Sequence, residues 1–212
     1  MEKTITALEA QKRYADRINV FLDGEFAFGV SRFVGAWLSV GQKIDEIKSR
    51  SLISADEKER ALQYALRFIG YKQRTEAEVI KKLEHLEFPS EIINNIMSEL
   101  KEKRYVDDKE FASQWIESRG ESKPRSKRYF QFELRKKGIP GEIIDVALEN
   151  APDDLVSAIR LGKTYLIRYS AINDDEFRKK MTGVFSRRAF PYSIVKDALD
   201  ELLRIRKEEH EV

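Results

Sequence analysis

Not one cysteine occurs among the 212 residues, so no disulfide framework, thiolate metal site or cysteine nucleophile can be assembled, and a reducing compartment is permitted. Histidine is almost as scarce. With only His85 and His210, the chain offers no zinc-ligand spacing, no Ser-His-Asp constellation and no helix-borne His-Glu-x-x-His. A G-x-x-x-x-G-K-[ST] loop for phosphate is also missing. Nowhere do about 18 apolar residues run together, and Met1 to Gln11 has no apolar stretch behind a basic start. These absences lead us to expect a soluble, cytoplasmic protein with no cofactor, metal or membrane partner. Ten Gly and five Pro against 36% charged residues suit a helical chain.

What is present is a repeat. Pro89, Pro140 and Pro191 are spaced by 51 residues, and one hydrophobic frame surrounds each. Six residues upstream stand Leu83, Leu134 and Phe185; one residue upstream stand Phe88, Ile139 and Phe190. Three and four residues downstream are Ile92-Ile93, Ile143-Ile144 and Ile194-Val195. The expected fold is mainly α: three tandem three-helix repeats forming an elongated, curved array, preceded by a small module with a β-hairpin and short helices. Expected boundaries are 1–56 for the module, then 57–107, 108–158 and 159–212 for the repeats, the last with a fraying charged tail from Arg204.

In the module, Ile18, Val20 and Leu22, then Phe26, Phe28 and Val30, alternate around Asp23-Gly24, which predicts a hairpin with a type I′ turn. Phe33, Val34, Trp37 and Leu38 have the spacing of a short covering helix, and Asp45 caps another over 46–51. In the repeats, apolar stripes at Ala61, Tyr64, Ala65, Phe68 and at Phe111, Ala112, Trp115, Ile116 mark the first helices. The third copy has drifted, its stripe running through Leu155, Ile159, Tyr165, Leu166 and Tyr169. A second helix spans about 126–137 and stops at Gly138, where Pro140 opens the third. The pairs Asp107-Asp108, Asp153-Asp154 and Asp174-Asp175 fall at helix starts, where capping is a better account than a magnesium-dependent nuclease site.

Net charge is only +2, but it is unevenly placed. From Arg119 to Lys137 eight basic residues face two acidic ones; from Arg160 to Arg188 eight face three. Lys123, Arg125, Lys127, Arg128, Arg135, Lys136 and Lys137, with Arg187 and Arg188 in the third copy, are the candidate contacts to an anionic polymer. Tyr129, Phe130 and Phe132 lie among them, as stacking rings or as core. The loop 123–126 is a further candidate for touching a partner.

The strings Tyr105-Val106-Asp107-Asp108-Lys109-Glu110-Phe111-Ala112 and Glu133-Leu134-Arg135-Lys136-Lys137-Gly138-Ile139, behind an N-terminal hairpin, resemble the RecX family of regulatory proteins. Arg74-Thr75-Glu76-Ala77-Glu78 and Lys81-Lys82-Leu83 extend the likeness into the first copy. The third departs from it, with Arg187-Arg188-Ala189-Phe190 in place of Lys136-Lys137-Gly138-Ile139. A closed array with soluble ends would be a monomer. The resemblance implies a protein without catalysis that binds the RecA recombinase filament and restrains its assembly, ATP hydrolysis and strand exchange. The alternative is a protein that competes with recombinase for single-stranded DNA; double-stranded DNA is a further expected partner.

Overall fold

A computed structural model of the chain describes residues 2–122 and 124–210. The elements in order are β1 (Lys3–Ala10), β2 (Arg17–Leu22), β3 (Glu25–Ser31), β4 (Lys43–Ile44), α1 (Glu46–Gly70), α2 (Glu76–His85), α3 (Ser90–Glu102), α4 (Asp108–Ser122), α5 (Lys127–Lys136), α6 (Gly141–Glu149), α7 (Asp154–Leu166), α8 (Asp174–Ser186) and α9 (Tyr192–His210). They form two compact units, one of residues 1–72 and 79–105 and the other of residues 73–78 and 106–212.

In the first unit the predicted hairpin is β2–β3, turning at Asp23 and Gly24 with φ of 49° and 89°. It belongs to a larger antiparallel sheet of order β3-β2-β1-β4. Val20 pairs with Phe28 but Phe21 with Phe26, so Ala27 is an extra residue in β3. That bulge sends Phe26 to the outer face, edge-on to Phe21, instead of inward beside Phe28 as strict alternation predicts. The helix expected at 33–38 is instead a run of turns. Ser31 Oγ accepts from Val34 N–H, and Gly35 lies so close to Ile18 that any Cβ would overlap it. Val34 and Leu38 pack on the sheet core; Phe33 and Trp37 point outward.

Asp45 caps α1 by accepting from Lys48 N–H, as its sequence position predicts, but the helix continues for 25 residues. The short helix at 46–51 and the start of the first repeat are therefore one element, and the boundary expected after residue 56 falls inside it. Asp56 is the reason that stretch is held: its carboxylate receives two hydrogen bonds from Arg17 and one from Ser31 N–H, tying α1 to both hairpin strands.

The 51-residue frame proves to be a helix-ending device. At Glu87, Gly138 and Ala189 the backbone is left-handed, with φ of 61°, 81° and 58°. Directly after each, the N–H of Phe88, Ile139 or Phe190 donates to the carbonyl of Leu83, Leu134 or Phe185. The preceding N–H groups, of Glu87, Gly138 and Ala189, donate to Glu84, Arg135 and Ser186. This pair of bonds is the Schellman motif, and its apolar contact joins the residues that recur six and one positions before each proline. Pro89 and Pro140 then sit one residue before α3 and α6.

The third repeat begins earlier than the 51-residue period predicts. Asp153 caps α7 by accepting from Leu155 and Val156 N–H, so residues 154–158 belong to its first helix and not to the second repeat. The core face of α7 is Ser157, Ala158, Leu161, Gly162 and Leu166; Leu155, Ile159, Tyr165 and Tyr169 pack at its margin. The charged tail does not fray at Arg204. Arg206 is buried, donating to the carbonyls of Tyr169 and Ile172 and lying over the Phe177 ring, which holds α9 helical past it.

Two of the three left-handed positions lack glycine, at a cost of about 1 kcal/mol each. Ala189→Gly should therefore raise stability, by somewhat less than that once unfolded-state entropy is counted. Gly138→Ala should lower it by about 1 kcal/mol for backbone strain alone and further for steric reasons, because its Cβ would overlap that of Ala77. Urea midpoints of the two variants, moving in opposite directions, check this reading.

Candidate nucleic-acid and filament interface

The second unit places the candidate cations through one recurring contact. Ser126 is buried; its N–H and hydroxyl reach Arg188 O at 3.3 and 3.1 Å, and the hydroxyl reaches Ala189 O at 2.8 Å. Of the loop expected at 123–126, Pro124 and Ser126 are buried, while Lys123 lies outside the described residues. Through Ser126, the start of α5 with Lys127 and Arg128 is brought against the end of α8 with Arg187 and Arg188. Arg135 and Lys136 occupy the other end of α5, some 12 Å away at a rise of about 1.5 Å per residue.

These cations divide into two classes. Lys137 is turned inward, its Nζ 2.9 Å from Glu78 Oε1, 4.6 Å from the Trp115 ring centre and 5.2 Å from that of Phe111. Arg125 lies 3.9 Å over the Tyr129 ring and 4.0 Å from Glu133, whose carboxylate also takes Arg119 and the Trp115 indole N–H. Lys137 and Arg125 are therefore mainly structural, which corrects their expected place on an open surface. Their ion-pair partners stand 59 and eight residues away in sequence.

Arg128, Arg135, Lys136 and Arg187 are exposed, Lys127 and Arg188 half-buried, and none of the six makes an ion pair among the described residues. Of the interleaved aromatics, Phe130 is core, Tyr129 is covered by Arg125, and Phe132 is 66% exposed. Arg128, Phe132, Arg135 and Lys136 stand at i, i+4, i+7 and i+8, hence on one side of α5. A flat ring between unpaired guanidinium and ammonium groups suits a base stacked between phosphates.

Two of the three acidic pairs are committed to backbone, and the third is not the cap of its helix. Asp107 caps α4 through the N–H groups of Lys109 and Glu110, while Asp108 reaches across to Glu76 N–H at the start of α2. Asp153 and Asp154 repeat the division, with Asp154 accepting from Lys127 N–H. Burial raises the Asp154 carboxyl above its ordinary value, partly offset by that N–H and reinforced by Asp153. Asp174 lies 3.7 Å from Arg206, and Asn173 caps α8 in front of it.

Family models describing the Regulatory protein RecX N-terminal domain, the first RecX three-helix domain and the second match residues 3–45, 61–100 and 107–148. A Regulatory protein RecX of Bacillus pumilus (strain SAFR-032) is 29% identical over 211 residues, covering 98% of this chain and 80% of the relative. One from Levilactobacillus brevis (strain ATCC 367) is 37% identical over 146 residues, which is 68% of this chain and 54% of the relative. Among solved structures, a crystal structure of regulatory protein RecX has 27% identity and a TM-score of 0.69, covering 93% of this chain and 99% of its own. The crystal structure of RecX from Lactobacillus salivarius has 25% identity and a TM-score of 0.63, covering 70% and 97%.

Burial would raise the Glu78 carboxyl, but hydrogen bonding and charge from Lys137, with the Thr75 N–H and Arg74, hold it below the ordinary glutamate value of 4.5. The fold thus favours the charged form, and its contribution is present above pH 4.5 and lost as pH falls through the lowered folded-state value. Glu78→Gln should be less stable than the parent by a constant margin at neutral and weakly acidic pH. That margin should shrink below pH 4.5, read from urea melts across the acid range.

Proposed function

The chain belongs to the RecX family of regulatory proteins, and from that premise we propose that it regulates homologous recombination by binding the RecA–DNA filament through the exposed side of α5 and the adjoining end of α8. Bound there, it opposes subunit addition or the rearrangement that strand exchange requires, and so restrains ATP hydrolysis without chemistry of its own. The observation that carries this reading is the unpaired stripe Arg128–Phe132–Arg135–Lys136, with Arg187 delivered beside its N-terminal end by the Ser126 contact. A filament presents phosphates and acidic protein groups together, and such a stripe addresses both.

Phe132 favours one alternative, direct competition for single-stranded DNA, because an exposed ring stacks on bases. The two readings separate in salt. With about four phosphate contacts, log K for a bare strand should fall with log salt at a slope near −3. At salt that abolishes this binding, a filament regulator still associates with preformed filaments and a competitor does not.

Replacing Arg135 and Lys136 by Glu should raise the concentration needed to inhibit RecA ATPase on single-stranded DNA by at least tenfold, with an unchanged helical circular-dichroism signal. Lys137→Met should instead lower thermal stability and leave the inhibitory concentration within about twofold, since a change of that size is under 0.5 kcal/mol. Inhibition that survives the double reversal would remove α5 from the interface.

A further inference from the structure

The first unit contains a second place with the same chemistry. A cleft of about 720 Å³ opens between one end of the sheet and α1. Its floor is rigid: Arg17 is fixed by Asp56 and Gly29 O, and the same carboxylate holds Ser31 N–H. Its two loop walls are pinned by backbone bonds, Arg17 N–H to Tyr14 O and Arg32 N–H to Asp16 O.

Three rings line the cleft without being buried. Tyr14 is 54% exposed, Phe33 76% and Tyr64 40%; the Tyr64 ring keeps an edge on Phe88, 6.0 Å between centres, and the Arg60 guanidinium lies 5.9 Å over that same Phe88 ring. Around them stand Arg32, Arg60 and Arg67, all exposed and none in an ion pair among the described residues. Two carboxylates share the lining, Asp16 and Glu59, and Glu59 already accepts from Gln63. On α1 the order is Arg60, Tyr64, Arg67, at i, i+4 and i+7. This is the spacing of Arg128, Phe132 and Arg135 on α5. It sets two guanidinium-bearing positions about 10 Å apart along the helix with a ring between them.

We propose that this cleft binds single-stranded nucleic acid, with bases stacked on Phe33 and Tyr64 and phosphates met by Arg60 and Arg67. An acidic protein segment would satisfy the arginines but would leave the faces of Phe33 and Tyr14 and the open part of Tyr64 uncovered; bases use both. The site lies outside α5 and α8 and does not rest on the filament reading.

The test uses full-length protein and a fluorescein-labelled oligo(dT) of about 16 nucleotides, the upper site size of a single module. Recombinase is absent. Binding is measured both in the parent and in a background where Arg135 and Lys136 are Glu. The pair Phe33→Ala with Tyr64→Ala should weaken binding tenfold or more in each background, at about one base stack per ring, and leave the salt slope unchanged. Arg60→Gln with Arg67→Gln should weaken binding and flatten the slope by about 1.4, at roughly 0.7 per phosphate. Iododeoxyuridine-substituted oligo(dT) should crosslink to Tyr14, Phe33 or Tyr64.

Phe33→Ala alone, at so exposed a position, guards against a folding defect. Wild-type affinity in both paired variants, or crosslinks confined to α5, would overturn the proposal. So would an arginine pair that weakens binding to polyglutamate while the aromatic pair leaves oligo(dT) binding intact, since that assigns the cleft to an acidic protein. Loss of filament inhibition on reversing Arg135 and Lys136 bears only on the other site.

Discussion

A single buried hydroxyl, used twice, organises the second unit. Thr75 Oγ1 accepts from Glu78 N–H, capping its own helix, and donates to Lys137 O at the end of α5. Fifty-one residues on, Ser126 Oγ accepts from Tyr129 N–H and donates toward the carbonyls of Arg188 and Ala189 at the end of α8. Both residues are wholly buried. An aspartate would cap the helix as well, but when ionised it has no proton to give the facing carbonyl; a hydroxyl has one proton and two lone pairs and can serve both ends. Leaving such a carbonyl buried and unpaired costs about 1–3 kcal/mol. The contact also sets one helix's positive end against another's negative end, where a basic last turn is favoured. Within the second unit, the cations at the ends of α5 and α8 are therefore stationed by the same interaction that joins those helix ends.

The paired aspartates complete this joint. The first of each pair caps its own helix, and the second caps the start of the helix that the hydroxyl also serves: Asp108 for α2 and Asp154 for α5. The aspartate and asparagine caps are local events and were legible in the sequence, as were the hydrophobic frame around the prolines, the left-handed stop at Gly138 and the limits of α5. The partner of the second aspartate was not, because it lies 32 residues upstream in one case and 27 in the other. That difference of five is the drift of the third repeat. Helix α7 moved with its capping pair, while the proline frame behind it stayed in register.

The first unit was harder to read, for physical reasons. β1 carries a weak alternation interrupted by a register shift between Ile5 and Ala7, and β4 is two residues long. The quartet Phe33, Val34, Trp37 and Leu38 fits a helix and a chain of turns equally well, since both bring residues three to four apart to one side. The close approach of Gly35 to Ile18 is what selects the turns, and it is a tertiary fact. Similarly, the stripe Ala61, Tyr64, Ala65, Phe68 identified the buried face of α1 through its alanines and misjudged Tyr64, a side chain that can leave the core from its edge.

A count of charge along the sequence is thus a poor guide to a cationic surface, whereas a count relative to the clasp is a good one. In the double-basic pairs Lys136-Lys137 and Arg187-Arg188, the first member is exposed and the second, whose carbonyl the hydroxyl engages, is half-buried. Fixing that carbonyl fixes the direction of its side chain, and for Lys137 the direction leads to Glu78 and two aromatic faces. One residue earlier the helix has rotated by about 100°, and the side chain is free. Two groups of open cations surround rings, at Phe132 on α5 and at Tyr64 on α1, each with a basic residue four positions before and three after. Phe132 leaves most of its surface in water, whereas Tyr64 keeps one packing contact, its ring centre 6.0 Å from that of Phe88. The same grouping on two helices of otherwise different packing is what both of our proposals rest on, a ligand that offers planar faces and anions together.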